Sequence, residues 1–371
     1  MIIGVTKEIK EGENRVAVTP ANVERMISHH HTVLIENRAG DNAGFSNDDY
    51  IKAGAGIVNC AEEIYGRAEL MVKVKEILPE EFGYLRDSHI IMTYIHSANR
   101  LPQTEAILKS KAVAFAYEDV RDENGEFPLL IPMSEIAGTM GMLLGVTQSF
   151  TTQGGSGKLM GGAPGADNSK IVVFGAGNVG LAAAKLAVSF GADVTILDVD
   201  HKKMRDIKNY LLPQAKTLYS NKANILASIS SADMVINGVK WIPGLTLISR
   251  NMLQHMKPNA LIVDIDAEPG GAIETSQYST IDNPVFVVDG IRHIGVPNLP
   301  SLVANSSSTA LSNSTIPYVL QVADKGWLQA ARENKALRHG LDFVKGRLTF
   351  KPTAEAFNLP HHDIDEVLAS L

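Results

Sequence analysis

Short apolar runs alternate with helix-length amphipathic stretches along almost the whole of this 371-residue chain, and that alternation restricts the fold more than any other feature. It is the pattern of strand–helix–strand units built around parallel sheets, so the expected class is α/β. At roughly 150 residues per domain, the length asks for two domains. In the first third, strands are expected over 2–8, 32–36, 69–75, 89–96 and 112–118, with helices near 20–30 and 101–110. Thr19 followed by Pro20 marks a helix start, the hydroxyl placed to cap free N–H groups and the ring suited to the first turn. From about Ile131 the segment PMSEIAGTMGMLLGVTQSF reads as one long helix, with Met140 and Met142 as packing residues, and a glycine-heavy loop follows. A second alternating block runs from about 170 to 300, with strands near 171–174, 193–197, 234–237, 261–264 and 285–288. Helical periodicity then resumes to about 333, and a last helix is expected near 353–358.

Composition narrows the function. Apolar residues at 45% and charged residues at 20% exclude a disordered, collagenous or coiled-coil chain. A net charge of -7 argues against binding to nucleic acid or to an anionic membrane. Cys60 is the sole cysteine, which leaves no intrachain disulfide and no cysteine-based zinc cage, and suits a reducing, cytoplasmic setting. The opening MIIGVTKEIKEGENR carries charge too early for a signal peptide, and no uncharged apolar run approaches membrane-spanning length. The histidines at 29–31 close a helix and His361 with His362 lie in a tail, so no metal is assigned.

The strongest local signal is KIVVFGAGNVGLAAAKLAVSFGADVTILD, residues 170–198. Gly175, Gly177 and Gly180 fall between an apolar strand and an amphipathic helix, where they suit a tight turn, the approach of a pyrophosphate to the helix N-terminus, and close helix–strand packing. Asn178 and Val179, inside the motif, open that helix and join the expected dinucleotide site. Asp198 ends the next strand, where a carboxylate can hold the ribose hydroxyls of NAD and repel the 2′-phosphate of NADP. Lys202 and Lys203 read as solvated first-turn charges.

Ligands of open parallel sheets collect at the carboxyl ends of strands, which turns attention to three polar residues. Arg15, after the first strand, has a planar fork suited to a carboxylate. Lys75 closes the strand ELMVKVK with Lys73 on the same face, and His96 ends HIIMTYIH, able to exchange a proton near neutral pH. Singly each has an ordinary structural explanation; jointly they favour a site for a small anionic substrate.

These residues and their settings resemble the NAD-dependent L-alanine dehydrogenases of the alanine dehydrogenase and nicotinamide nucleotide transhydrogenase family. The matching stretches cover nearly the whole chain and include VTKEIKEGENRVAVTPANV, ELMVKVKE, TYIHSANR, PLLIPMSEIAGTMG, VVFGAGNVG, VDGIRHIGVPNLP and STALSNSTIPYVLQVADKGW. The resemblance implies two Rossmann-like doubly wound domains joined by long helices, with a cleft between them. Residues 1–130 and 307–371 would form a discontinuous substrate domain and 131–306 the NAD-binding domain. It further implies a homohexamer. Arg15 and Lys75 match the substrate-carboxylate ligands, His96 the acid–base histidine, Ser134 and Asn298 nicotinamide-side contacts, and Asp198 the adenosine-ribose ligand.

The chain departs from the family pattern on what reads as the cofactor side. VDIDAEPGGA aligns Glu268 with the catalytic Asp and leaves Asp266 as a rival; Trp241 stands in an altered loop, VKWIPGLTLISR; Leu299 replaces a usual Met; and ANSSST replaces a P-K/R-T-S-T-Y-like run at 304–309. The implied activity is reversible oxidative deamination of L-alanine to pyruvate and ammonium. Alternatives are a related amino-acid or secondary-amine (opine- or saccharopine-type) dehydrogenase, a soluble transhydrogenase subunit, or a catalytically silent dinucleotide-binding regulator.

Overall fold

In the computed structural model of the chain, which describes residues 1–371 other than Pro269, the chain divides into two compact units. Residues Met1–Met133 with Val303–Leu371 make the first and Ser134–Leu302 the second. The chain passes from one to the other inside the helix Ile131–Gln148 and returns just before the helix Ala304–Lys325.

The first unit holds strands β1 (Ile2–Val5), β2 (Thr32–Glu36), β3 (Gly56–Val58), β4 (Leu70–Val72), β5 (Ile90–Thr93) and β6 (Val113–Ala116). The second holds β7 (Lys170–Phe174), β8 (Asp193–Asp198), β9 (Lys216–Tyr219), β10 (Met234–Asn237), β11 (Leu261–Asp264), β12 (Val285–Val288) and β13 (Ile291–Ile294). Late in the chain, β14 (Leu341–Val344) and β15 (Arg347–Leu348) return to the first unit. The sheet orders are β15-β14-β6-β5-β4-β1-β2-β3 and β12-β13-β11-β10-β7-β8-β9. Each contains the doubly wound order 3-2-1-4-5-6, with a reversal of strand order at β1/β4 in one sheet and β7/β10 in the other. The α/β expectation holds, with antiparallel edges added by β12, β14 and β15.

Doubly wound sheets are covered on both faces, and the core shows why these runs are apolar without interruption. Ile171 and Val173 of β7 enter one apolar cluster with Ile196, Ile236 and Val263; Val172 and Phe174 enter the opposite one with Leu197, Val235 and Ile262. Met142 is fully buried in the first of these and Met140 packs against it, as packing residues should. At the first turn of the Asn178–Ser189 helix, Gly175 takes φ +93° and Gly180 lies so close behind it that a Cβ would collide with the Gly175 carbonyl oxygen. A Cβ on Gly177, by contrast, would meet nothing within 4 Å.

Several local expectations fail for physical reasons. Strands expected to run to 8, 75, 96 and 118 stop at Val5, Val72, Thr93 and Ala116, because the chain leaves the regular ladder just where its polar residues begin. Thr19 stands at the N-cap of Pro20–Ser28, yet its hydroxyl makes no capping bond; it faces Ser312 Oγ at 3.5 Å, and Ser312 also accepts from the Thr19 N–H. The helix expected near 353–358 is Lys351–Phe357, and it is not the last, since Ile364–Ala369 follows. The segment 304–309 belongs to the first unit rather than the cofactor half: Ser308 Oγ accepts from Val16 N at 2.9 Å, and Asn305 donates to the Ala43 carbonyl.

The glycine geometry makes a graded prediction. Gly180→Ala should cost about 1–3 kcal/mol in denaturant melts, through overpacking, whereas Gly177→Ala should melt like the parent protein. Equal melting of the two variants would contradict the packing account.

Candidate active site

The polar residues of the first unit gather where parallel strands end and order reverses. Arg15 lies in the loop after β1, buried to 3% exposure. Its fork is engaged within the loop: Nε donates to Glu13 Oε1 at 2.7 Å, Nη2 to Glu13 Oε2 at 2.6 Å, and Nη1 reaches Met133 Sδ at 3.1 Å. Sequence reasoning passed over Glu13, although its place two residues before Arg15 was the available signal. The bidentate pairing fixes the guanidinium plane and offsets the desolvation of a buried cation.

Lys75 and Lys73 part company, contrary to their reading as one strand face. Lys73 is wholly buried, its Nζ 2.9 Å from Glu81 Oε1, 3.6 Å from Glu8 Oε2 and 3.1 Å from Thr6 Oγ1. Burial alone would favour its neutral form, but Glu8 and Glu81 outweigh that and hold it protonated. Glu8 also takes the Val74 N–H at 2.7 Å and the Lys75 N–H at 3.4 Å, so the buried pair shapes the backbone that presents Lys75. Lys75 has no carboxylate within ion-pair distance among the described residues. Burial, with Arg15 and Lys10 nearby, pushes its ammonium down to about 8.

His96 follows β5 in the left-handed region, at φ 50° and ψ 44°. A non-glycine residue there is strained and is kept only where its surroundings hold it. Glu118, just past β6, supplies that hold: its Oε1 accepts from the Ile95 N–H at 3.0 Å and from the His96 N–H, and stands 3.5 Å from His96 Nδ1. Tyr94 stacks on the imidazole at 6.1 Å, nearly parallel. Burial, then Lys75, Arg100 and Lys10 against the opposing Glu76, push the imidazole down to about 4, so it is neutral at physiological pH. Glu118 itself is pushed up to about 8, by burial and then by Asp119. Glu76 completes the rim, pairing with Lys10 at 2.6 Å and Arg100 at 2.8 Å.

In the second unit the glycine turn follows β7, and the helix Asn178–Ser189 opens with Gly177 at its N-cap, exposed Asn178 and half-buried Val179. Asp198 ends β8, with Oδ2 accepting the Ala176 N–H at 2.5 Å and Oδ1 the Asp200 N–H at 2.8 Å. His201 and Tyr219 stack beyond it at 5.2 Å. Open space over Gly177, the helix N-terminus and a carboxylate at the next strand end fit a dinucleotide.

The loop after β10 is tied to the end of β11. Asp264 Oδ1 accepts from Asn237 Nδ2 at 2.8 Å, Asn237 Oδ1 accepts the Val239 N–H at 3.2 Å, and Asp266 Oδ2 accepts the Trp241 N–H at 2.6 Å. Burial, and Glu268 after it, raise the Asp266 carboxyl, opposed by the Trp241 N–H and Lys240. Glu268 is exposed on the same loop. Ser134 lies half-buried in the first turns of Ile131–Gln148, and Asn298 follows β13 with φ 56°.

Known proteins match this arrangement along its length. The profile of the alanine dehydrogenase/PNT N-terminal domain matches residues 4–137 and that of the C-terminal domain residues 142–351. An alanine dehydrogenase of Methanococcus maripaludis is 42% identical over 99% of this chain and 100% of its own. One from Bacillus subtilis is 43% identical over 95% and 94%. A solved L-alanine dehydrogenase superposes with a TM-score of 0.92 at 38% identity, covering 96% of this chain and 99% of that one. A transhydrogenase from Sinorhizobium meliloti shares the fold, with a TM-score of 0.78 at 23% identity, 95% of this chain and 99% of that chain being covered. Matched from end to end by relatives of this one kind, the chain belongs to the alanine dehydrogenase/PNT family.

Proposed function

We propose that this protein is an NAD-dependent L-alanine dehydrogenase, converting L-alanine, water and oxidised cofactor to pyruvate, ammonium, reduced cofactor and a proton, reversibly. The observation that supports the reading is Lys75, a half-buried cation with no carboxylate in ion-pair distance among the described residues, which follows β4 at the switch point of the first sheet and acts on the charge environment of a strained, neutral His96 after the neighbouring β5. NAD, held by the Gly175–Gly180 turn with Asn178 and Val179 and by Asp198, would supply the hydride acceptor. Ser134 and Asn298 are assigned to its nicotinamide side on the family resemblance.

Lys75 and Arg15 hold the substrate carboxylate, which orients the Cα–H and turns an encounter into an aligned reaction. Glu13 already engages much of the Arg15 fork, so Lys75 supplies the larger share of new charge pairing. His96, neutral, accepts the proton of the water that attacks the imine carbon and returns a proton as the carbinolamine releases ammonia. Glu268 orients that water or the amino group, while Asp266 anchors the Trp241 loop. The two units close on the substrate and exclude bulk water, and the molecule works as a homohexamer, both on the family resemblance; the cytoplasmic setting rests on Cys60 being the sole cysteine.

The direct test is NADH oxidation with ammonium and a panel of 2-keto acids, in which pyruvate should lead. NADH binding without turnover of any keto acid would favour a silent regulator, and preference for another acid a different dehydrogenase of this scaffold. His96→Ala should lower turnover by about a hundredfold or more, with NADH affinity retained; wild-type turnover would remove it from the mechanism.

The Lys75 environment adds a pH signature. The cation that meets the carboxylate is present below about 8 and lost above it. Pyruvate affinity of the NADH-loaded enzyme, measured without ammonium, should therefore weaken as pH rises through that value. In Lys75→Ala the affinity should be low and level across the range. A level profile in the parent enzyme would reject the clamp.

A further inference from the structure

The C-terminal return of the chain reaches the residue after His96. Strand β14 pairs antiparallel with β6, but its register slips: Leu341 lies opposite Phe115 and Phe343 opposite Ala114, leaving Asp342 as the extra residue of a bulge. Bulges re-aim a side chain, and they gather beside active sites. Here the bulged residue is 1% exposed, and its Oδ2 lies 3.4 Å from the Ser97 hydroxyl, while Oδ1 has no hydrogen-bond partner among the described residues. From the other side Thr353, at 0% exposure in the helix Lys351–Phe357, places Oγ1 2.6 Å from the same hydroxyl. The Ser97 carbonyl in turn accepts from Thr104 Oγ1 at 3.1 Å. Three buried side chains thus converge on a serine with no evident claim of its own to that attention.

What Ser97 adjoins supplies the reason. His96 sits in a strained backbone state, and a strained residue relaxes unless both flanks are held. Glu118 holds the flank at Ile95 and His96; on the other, the turn bonds from Asn99 N–H to the His96 carbonyl and from Arg100 N–H to the Ser97 carbonyl are joined by the Ser97 side-chain cluster. We propose that Asp342 and Thr353 are positioning residues for His96, acting through Ser97, so that the segment 341–357 is part of the catalytic apparatus rather than only an added sheet edge. Ser97 Oγ donates toward Asp342 Oδ2, and burial with Asp119 and Glu118 drives the Asp342 carboxyl well upward, against the lowering effect of that bond. This inference rests on the reading of His96 as the acid–base group.

The charged groups that act on the imidazole are Lys75, Glu76, Arg100 and Lys10; the Glu118 carboxyl, pushed up to about 8, stands against Nδ1 and Tyr94 stacks on the ring. Loosening the Ser97 flank lets the half-exposed ring move further into water and away from the cations, which raises its pKa from about 4 toward the ordinary histidine value. Because deamination needs the neutral ring, the acid limb of kcat/KM for alanine should then move upward.

The test compares Thr353→Val, Thr353→Ser and Asp342→Asn with the parent enzyme, recording thermal midpoint, NADH affinity by fluorescence, kcat, and kcat/KM for alanine across pH. Thr353→Val should melt cooperatively and bind NADH within about twofold of the parent, yet lose about tenfold or more in kcat and show the raised acid limb. Thr353→Ser should restore both, and Asp342→Asn should shift the limb in the same direction as Thr353→Val. Parent-like kcat and acid limb in Thr353→Val and Asp342→Asn would overturn the proposal. So would a kcat loss that serine does not recover, or one that tracks the unfolded fraction with the acid limb unmoved. If the parent enzyme itself fails to oxidise NADH with pyruvate and ammonium, the functional reading falls instead, and that failure shows before any variant is made.

Discussion

Holding positive charge out of water is the constraint on which the carboxyl edge of the first sheet depends. A buried cation is costly unless paired and hydrogen-bonded, and this edge carries the buried Lys73 and Arg15 together with the half-buried Lys75. Each of two receives a carboxylate of its own: Glu13 for Arg15, Glu81 with Glu8 for Lys73. Glu76 serves the more exposed Lys10 and Arg100. Lys75 is left out of this distribution, and burial with Arg15 and Lys10 nearby lowers its pKa. On the proposed function a substrate carboxylate would supply the missing partner, binding and charge compensation would be one and the same, and an uncharged analogue of the same shape would forfeit both.

The same arrangement divides labour among acids. Glu8 is a scaffold acid: one oxygen shapes the Val74–Lys75 backbone while the other faces Lys73. Glu118 is a conformational acid, keeping His96 in a backbone state it would otherwise leave. In the second unit Asp264 and Asp266 play the scaffold part for the Val239–Trp241 loop, which leaves Glu268 as the exposed carboxylate there. An anchoring carboxylate is poorly suited to proton or water handling, because moving it would release the backbone it holds. That difference, more than the alignment, separates Glu268 from Asp266.

Much of this was legible in the chain alone. Long apolar strands, the glycine turn and the polar residues at strand ends follow from local pattern, because each depends on neighbours close in sequence. Strands β3, with three residues, and β9, with exposed ends, are too short or too polar to show periodicity. β14 was hidden differently: LDFV follows a run of helices, and besides its short hairpin with β15 it is a pairing with β6, across more than two hundred residues, that sets it in the sheet. The partners of the site cations were illegible for a related reason. Glu8 and Glu118 lie far in sequence from Lys73 and His96, Glu81 sits in a short turn after Lys73, and an acid in a polar loop reads as solvated until the fold closes over it.

The discontinuous first unit then acquires a physical reading beyond chain bookkeeping. Its six-stranded parallel core, β1 to β6, and the loops after those strands already supply the residues assigned to the substrate carboxylate and the acid–base histidine, so the late strands and helices look dispensable for those roles. Yet β6, without β14, would be an exposed edge, and edge strands fray first. Glu118 stands directly beyond β6, so fraying there would release the Ile95 and His96 amides together. Adding β14 converts that edge into an interior strand and stiffens the Glu118 side, while the bulge directs Asp342 to Ser97 on the far side of the same histidine. A strained residue needs stiffness on both sides at once, and a chain that leaves to build a second unit and comes back provides it from a segment under no obligation to bind anything itself.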